Sequence, residues 1–191
     1  MTATLAPPPA DCLNHESFES RRTTEAMVDV GERAPDFTVP KAGGGAYNDI
    51  EAFTLSEALG DGPIVLAFYP AAFTSGCTEE MCEFRDRTDA FDALDAQVYG
   101  VSVDLPFAQN IWIRDLDLTF PMLSDWNHEL IEAYDVVLPD MYGMLEVANR
   151  SVFVLDADGT VAYKWVKDDE NPDFEAFVDE IHDVVAELAA R

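Results

Sequence analysis

The apolar positions of this chain fall into two kinds of pattern. Ile64 to Tyr69 is a continuous apolar run of strand length, as expected of a central parallel strand buried on both faces. From Thr78 to about Leu94, Met81, Phe84, Phe91 and Leu94 recur at helical spacings and predict one helix. Ala96–Asp104 reads as the next strand. Pro106 opens a helix through about Leu116, where a first-turn proline sits well. Thr119–Leu123 reads as a short strand and Asn127–Tyr134 as a short helix. Residues 135–147, with Pro139 and Gly143, read as irregular. Arg150–Asp156 and Thr160–Trp165 read as strands joined by a hairpin turn at Ala157-Asp158-Gly159. Asn171-Pro172 opens a terminal helix whose stripe is Phe174, Phe177, Val178, Ile181, Val184, Val185 and Leu188.

Upstream, Phe37–Pro40 and Phe53–Leu55 are short strand candidates, separated by a turn over Lys41–Tyr47. Ser56 is the expected N-cap of a short helix through Leu59. Strands alternating with helices, then a hairpin and a final helix, predict a three-layer α/β/α domain with a mixed central sheet. Residues 27–191 are long enough for one such domain. Residues 1–26 carry Pro7-Pro8-Pro9, scattered charge and no periodicity, and are expected to be a disordered extension. Met27 is the expected true start, and Cys12 then has no role. No Gly-x-Gly-x-x-Gly or phosphate-loop pattern is present.

Charge changes the picture of partners. The 38 acidic residues outnumber 11 basic ones, a net charge of −27, which repels nucleic-acid phosphates and anionic membranes. The acid is spread along the chain and only three lysines occur, so a halophilic, salt-screened cytosolic protein is expected rather than one with merely solvated acidic faces. Equal melting in low and high salt would sink that expectation. Three cysteines make no secreted disulfide framework. No run reaches membrane-spanning length, and Arg21-Arg22 lacks the apolar segment of an export signal, so a cytoplasmic location is expected. His15, His128 and His182 lack ligand spacing with the cysteines; neither metal nor cofactor is expected.

The candidate chemistry lies in Phe68–Asp86. An apolar strand ends at Pro70, a short loop with Gly76 follows, and Cys77 falls in the first turn of a helix. Free N–H groups and partial positive charge there stabilise an anion, and the nucleophilic form of cysteine is the thiolate. Thr74 is placed to present its hydroxyl to sulfur or substrate oxygen. Pro70 shields the site and stiffens the loop. Arg150, at the start of a later strand, is the candidate cation. Phe73, Trp112 and Trp126 are candidates for the substrate approach, with core packing the competing reading.

Pro70-Ala-Ala-Phe-Thr74-Ser-Gly-Cys77 resembles the peroxiredoxin signature Pro-x-x-x-Thr-x-x-Cys. The resemblance continues through Gly31–Phe37, Val101–Asp104, Phe120–Asp125 and Arg150–Thr160, and so covers nearly all of the chain from residue 27. It implies a thioredoxin-like fold and a thiol peroxidase acting on hydrogen peroxide and organic hydroperoxides. It further implies that Cys77 is the peroxidatic cysteine, that Pro70, Thr74 and Arg150 complete its site, and that Glu80 supports the arginine. The spacing to Cys82 resembles the Q-type, or bacterioferritin comigratory, subgroup, in many of which the second cysteine resolves the sulfenic acid. Five helical residues span about 7.5 Å and turn about 140° beyond one full turn. That is too far for a disulfide, so resolution by Cys82 requires the first turn to unwind, over about residues 74–84. A thioredoxin or similar small dithiol would restore both thiols; whether the enzyme is a monomer or a homodimer is left open.

Four readings compete. The first is this two-cysteine peroxidase. The second is a one-cysteine enzyme resolved by an outside thiol. A third is a general thiol–disulfide oxidoreductase, which would want Cys-x-x-Cys. The fourth is a peroxide-responsive redox sensor, which would show a stoichiometric burst without turnover.

Overall fold

A computed structural model describes residues 28–190. The expectations for residues 1–26, Met27 and Cys12 lie outside the described residues. The elements run β1 (Thr38–Ala42), β2 (Ile50–Thr54), α1 (Leu55–Ala58), β3 (Ile64–Phe68), α2 (Ser75–Asp86), α3 (Thr88–Asp92), β4 (Gln97–Ser102) and α4 (Pro106–Asp115). They continue as β5 (Met122–Ser124), α5 (Glu129–Ala133), β6 (Val137–Met141), β7 (Met144–Ala148), β8 (Ser151–Leu155), β9 (Val161–Val166) and α6 (Phe174–Ala189).

Seven strands form one sheet in the order β2-β1-β5-β4-β3-β8-β9. β3 is parallel to β4, and β4 to β5, while β8 runs antiparallel to β3. The sheet is therefore mixed, as the element order predicts. β3 is the spine, and its five residues are all fully buried. Alternation sends Val65, Ala67 and Tyr69 to one face and Ile64, Leu66 and Phe68 to the other. The first face is covered by α2, α3, α4 and α6, through Met81, Phe84, Phe91, Trp112, Phe177 and Ile181 among others. The second is covered by α1 and α5, through Leu55, Leu130 and Ile131. Burying each such side chain contributes about 1.5–3 kcal/mol of transfer free energy, so the two cores fix where every loop emerges.

Gly100 sits under α2 at the centre of β4. A Cβ there would lie 3.3 Å from Met81 Sδ, Met122 Cγ and Tyr69 Cε1. Its absence lets α2 lie close over the strand and sets the height of the cysteine loop above the sheet.

Four sequence expectations are corrected. The helix expected over 78–94 is two helices, broken at Arg87 (φ −112°, ψ 7°). The Thr88 hydroxyl donates to the Phe84 carbonyl at 3.3 Å, a side-chain bond that competes with the helical ladder. Ser56 is not an N-cap: Thr54 holds that position, and the Ser56 N–H and hydroxyl both donate to the Asp36 carboxylate, at 2.9 and 2.8 Å. The terminal helix starts at Phe174, not at Asn171-Pro172, because the Asp173 carboxylate caps it by accepting the Ala176 N–H at 3.3 Å. Residues 137–148 are an ordered hairpin, not an irregular stretch. Its two-residue turn, Tyr142-Gly143, has φ of 57° and 82°, the left-handed pair a tight hairpin needs. Pro139, which lacks an N–H, faces Glu146 at φ 58°, where the pairing is interrupted.

Candidate active site

The cysteine loop leaves β3 at Tyr69, whose N–H donates to the Val101 carbonyl of β4 at 2.9 Å. Pro70 follows, buried, and Ala72 is pinned from below by its N–H to Asp104 Oδ2, 2.8 Å. Asp104 is in turn held by the Ser102 hydroxyl at 2.9 Å, and Ser102 by Gln109 Nε2 at 3.1 Å. The end of β4 thus grips the loop through a chain of buried polar groups. Phe73 takes a left-handed backbone (φ 63°), a strained state for an aromatic residue, and this turns the chain into α2.

Thr74 is the residue at the N-cap position of α2, so Ser75, Gly76 and Cys77 form the first turn. Cys77 therefore lies where the backbone N–H groups lack helical partners, as the sequence predicts. Cys77 is 1% exposed as a residue yet lines a cleft. Arg150, one residue before β8, reaches across and donates from Nη2 to Cys77 Sγ at 3.3 Å. Its Nη1 donates to Glu80 Oε2, and its Nε to Asn171 Oδ1 at 3.3 Å. The Phe174 ring lies 5.2 Å from the guanidinium. Each guanidinium nitrogen thus has an acceptor and one side lies against an aromatic ring, which is how a buried arginine is tolerated and kept in one orientation. Burial alone would lower its pKa, but Glu80 and Cys77 more than offset that, and the net shift is upward.

Glu80 is fully buried one turn beyond Cys77. Burial pushes its carboxyl up to about 7, against the opposite pull of Arg150. Only one of its oxygens has a partner, since Oε1 is unpaired. Thr74 is placed differently from expectation: its hydroxyl donates to the Ala71 carbonyl at 3.0 Å, not to sulfur. With its proton spent there, the oxygen still has lone pairs free to accept. Cys82 stays half-buried within the same continuous helix, and both described cysteines are free.

The cleft holds about 510 Å³. Pro70, Thr74, Cys77 and Arg150 are on its floor side, and the β6–β7 hairpin supplies Leu138, Met141 and Tyr142 opposite. None of the expected aromatics lines it. Trp112 is buried beneath the loop between Tyr69 and Phe73, with ring centroids at 5.1 and 6.0 Å. Phe73 is exposed outside the cleft, and Trp126 borders a separate cavity of about 230 Å³ with Leu105 and Pro106. Sequence reasoning assigned no part to Asn171 or to the hairpin. The Pro172 after Asn171 was the available signal, because a residue before proline is pushed out of the helix. Among the described residues no three His, Cys, Asp or Glu side chains group to hold a metal ion.

An arginine against a helix-start sulfur can stabilise the negative charge of an attacking thiolate and of a leaving oxygen in one small space. Comparison with known proteins agrees with this chemistry. Residues 30–164 match the AhpC/TSA family. Peroxiredoxin Bcp of Bacillus subtilis is 36% identical over 142 residues, covering 73% of this chain and 86% of that protein. The crystal structure of Peroxidoxin BcpB from Mycobacterium tuberculosis superposes with a TM-score of 0.73 at 29% identity, covering 85% of this chain and 99% of the other. A Xanthomonas campestris Peroxiredoxin Q structure gives 0.68 at 27%, covering 80% and 91%. The thioredoxin-like fold and the likeness to Q-type and Bcp proteins both hold.

Proposed function

The chain belongs to the AhpC/TSA family of peroxiredoxins, whose membership supports thiol-dependent peroxidase activity, and we propose that Cys77 is its peroxidatic nucleophile and Cys82 its resolving thiol. The observation that carries this reading is the Arg150 guanidinium on Cys77 Sγ at the start of α2, inside an open cleft. The Cys77 thiolate attacks the nearer peroxide oxygen. The S–O bond forms, the O–O bond breaks, and the leaving oxygen takes a proton to become water or an alcohol. Arg150 stabilises the charge that moves from sulfur to that oxygen. The Thr74 oxygen accepts from the peroxide O–H and orients it, Pro70 keeps bulk water from the sulfur, and Glu80 holds the arginine. The Cys82 thiolate then attacks the sulfenic sulfur, the S–S bond forms, and hydroxide leaves as water. A small dithiol of the thioredoxin kind exchanges with the disulfide and restores both thiols. Hydrogen peroxide and organic hydroperoxides are the substrates. The reducing cytoplasm is the setting, salt-rich by the acidity of the chain.

One observation favours a second reading. Both cysteines lie in one unbroken helix, as a one-cysteine enzyme using an external thiol would have them. Mass spectrometry of the peroxide-treated protein and of two variants separates the readings. Cys77→Ser is expected to abolish turnover. Cys82→Ser is expected to stall as a sulfenic acid with no intramolecular disulfide. Normal turnover of Cys82→Ser with a dithiol reductant would overturn internal resolution.

A further inference from the structure

The residue that joins the arginine to the first helical turn is neither in the cysteine motif nor in the strand that carries Arg150. We propose that Asn171 is a positioning residue: it clasps the Arg150 guanidinium to the Cys77 turn and so sets how readily that turn unwinds. The inference rests on the peroxidase reading for its kinetic consequence, but not for the clasp itself.

Asn171 lies in the link between β9 and α6, and the structure fixes that link at both ends. At one end the Lys167 N–H donates to the Arg150 carbonyl at 2.8 Å, and Asn149 Nδ2 to the Lys167 carbonyl at 3.0 Å. At the other, Asp173 caps α6 and Phe174 packs on the guanidinium. Pro172 keeps Asn171 out of the helix, so its side chain is free to turn toward the cleft, which it lines. Its two ends then have distinct partners. Arg150 Nε–H is only a donor, so the amide oxygen must face it, at 3.3 Å. The amide nitrogen is thereby directed at Gly76. A Cβ on Gly76 would come within 2.8 Å of Asn171 Nδ2 and 3.4 Å of Arg150 Nη2. Glycine immediately before Cys77 thus leaves room for the Asn171 amide, which an alanine Cβ would displace. It lets one amide touch the moving turn and the cation at once.

Loss of the clasp has two consequences that a merely structural residue would not separate. The turn opens more often, and the guanidinium loses one of the bonds that aims it at sulfur. Asn171→Ala is expected to raise hydrogen exchange at the backbone amides of residues 78–81, the first of α2 to have helical carbonyl partners, in the reduced full chain, with amides in β3 and β8 unchanged. In rapid mixing with hydrogen peroxide it is expected to slow the first, sulfenate-forming step about tenfold, the effect of losing one hydrogen bond to a charged group. Gly76→Ala is the cross-check. Alanine favours helix over glycine, so propensity alone predicts slower exchange and unchanged attack. Displacement of Asn171 and Arg150 predicts slower attack. Should the Asn171 variant not fold, Asn171→Ser, too short to reach Nε, carries the same expectation. Wild-type peroxide turnover is measured alongside. If the wild type does not turn over, the peroxidase reading fails, and the exchange result alone decides the clasp. If it does, unchanged exchange or unchanged attack in the Asn171 variant overturns the proposal, as does uniform loss of protection across the sheet.

Discussion

The two halves of α2 are held by different physics. The first turn, Ser75 to Thr78, is held mainly by the Arg150 donation to Cys77, with Glu80 closing that network from the next turn and the Asn171 amide lying close over Gly76. The second half is held by apolar burial, with Met81 and Phe84 at zero exposure and Phe84 packed on Phe91 and Phe120 at 6.0 and 6.4 Å. It also has polar ties, Arg85 to the Leu116 carbonyl and Arg87 to Glu83 and Asp179. A polar contact exchanges for water at small net cost, whereas a buried ring that leaves its site forfeits its whole transfer free energy. One helix can therefore open at its start while staying docked at its end. Cys77 lies in the polar half and Cys82 in the apolar half, so the internal resolution we propose needs only the polar half to open, a shorter stretch than the residues 74–84 expected from the sequence.

The largest expected effect comes from cutting the polar half at its centre. Arg150→Met is expected to lower the peroxide-attack rate by about 10²- to 10³-fold, as when one charge-stabilising donor is removed. It also leaves Glu80 buried without its cation, which pushes its carboxyl further up and keeps it neutral, and the lost bonds are expected to lower stability in urea unfolding. A rate within threefold of wild type would show that the sulfur does not depend on the cation.

Cutting the apolar half has the reverse signature. Phe84→Ala is expected to cost about 3–5 kcal/mol of stability through the cavity it leaves. The attack rate per folded molecule, measured below the melting temperature, is expected to stay near wild type. If attack falls in proportion to stability, the two halves of α2 are not independent.

Glu80→Gln sharpens the polar side through its pH dependence. The folded carboxyl titrates at about 7, above its ordinary value of 4.5. The stability tied to the neutral group is therefore fully present below pH 4.5 and is lost as pH rises through 7. The slope is at most about 1.4 kcal/mol per pH unit. Thermal melts between pH 5 and 8 are expected to show the wild type losing stability relative to the glutamine variant as pH rises. Parallel curves would mean that Glu80 is an ordinary ionised partner. The smallest effect is expected from Arg87→Ala, about 0–1 kcal/mol by denaturant melt, because its Asp179 partner is well solvated and its Glu83 partner is an i,i+4 pair on the helix surface.

Much of this was legible along the chain, for reasons that differ by element. The apolar run of β3 and the stripe of α6 state their burial directly, because strand and helix periods are local properties. Pro70 and Thr74 place Cys77 at a helix start for the same reason: loop punctuation is written within a few residues. The break at Arg87 was missed because Phe84 and Phe91 share one helical face whether or not the helix is continuous. The β6–β7 hairpin was missed because Pro139 interrupts its ladder, its turn is Tyr-Gly, and its exposed residues do not alternate. Arg150 was picked out by a motif, but its contact is a matter of the sheet. It meets Cys77, 73 residues away in the chain, only because β8 pairs with β3.

By itself, then, the sequence determined most of the elements, the acidic charge balance and a cysteine at a helix start, since each depends on residues close in the chain. Tertiary structure alone decided which groups meet that turn. The burial that pushes Glu80 up to about 7, the Arg150 donation to Cys77, and the approach of Asn171 to Gly76 all arise where separate elements pack. The physical reason is range. Backbone propensity and periodicity act over a few residues, whereas desolvation and ion pairing depend on whatever the folded sheet and its helices bring alongside.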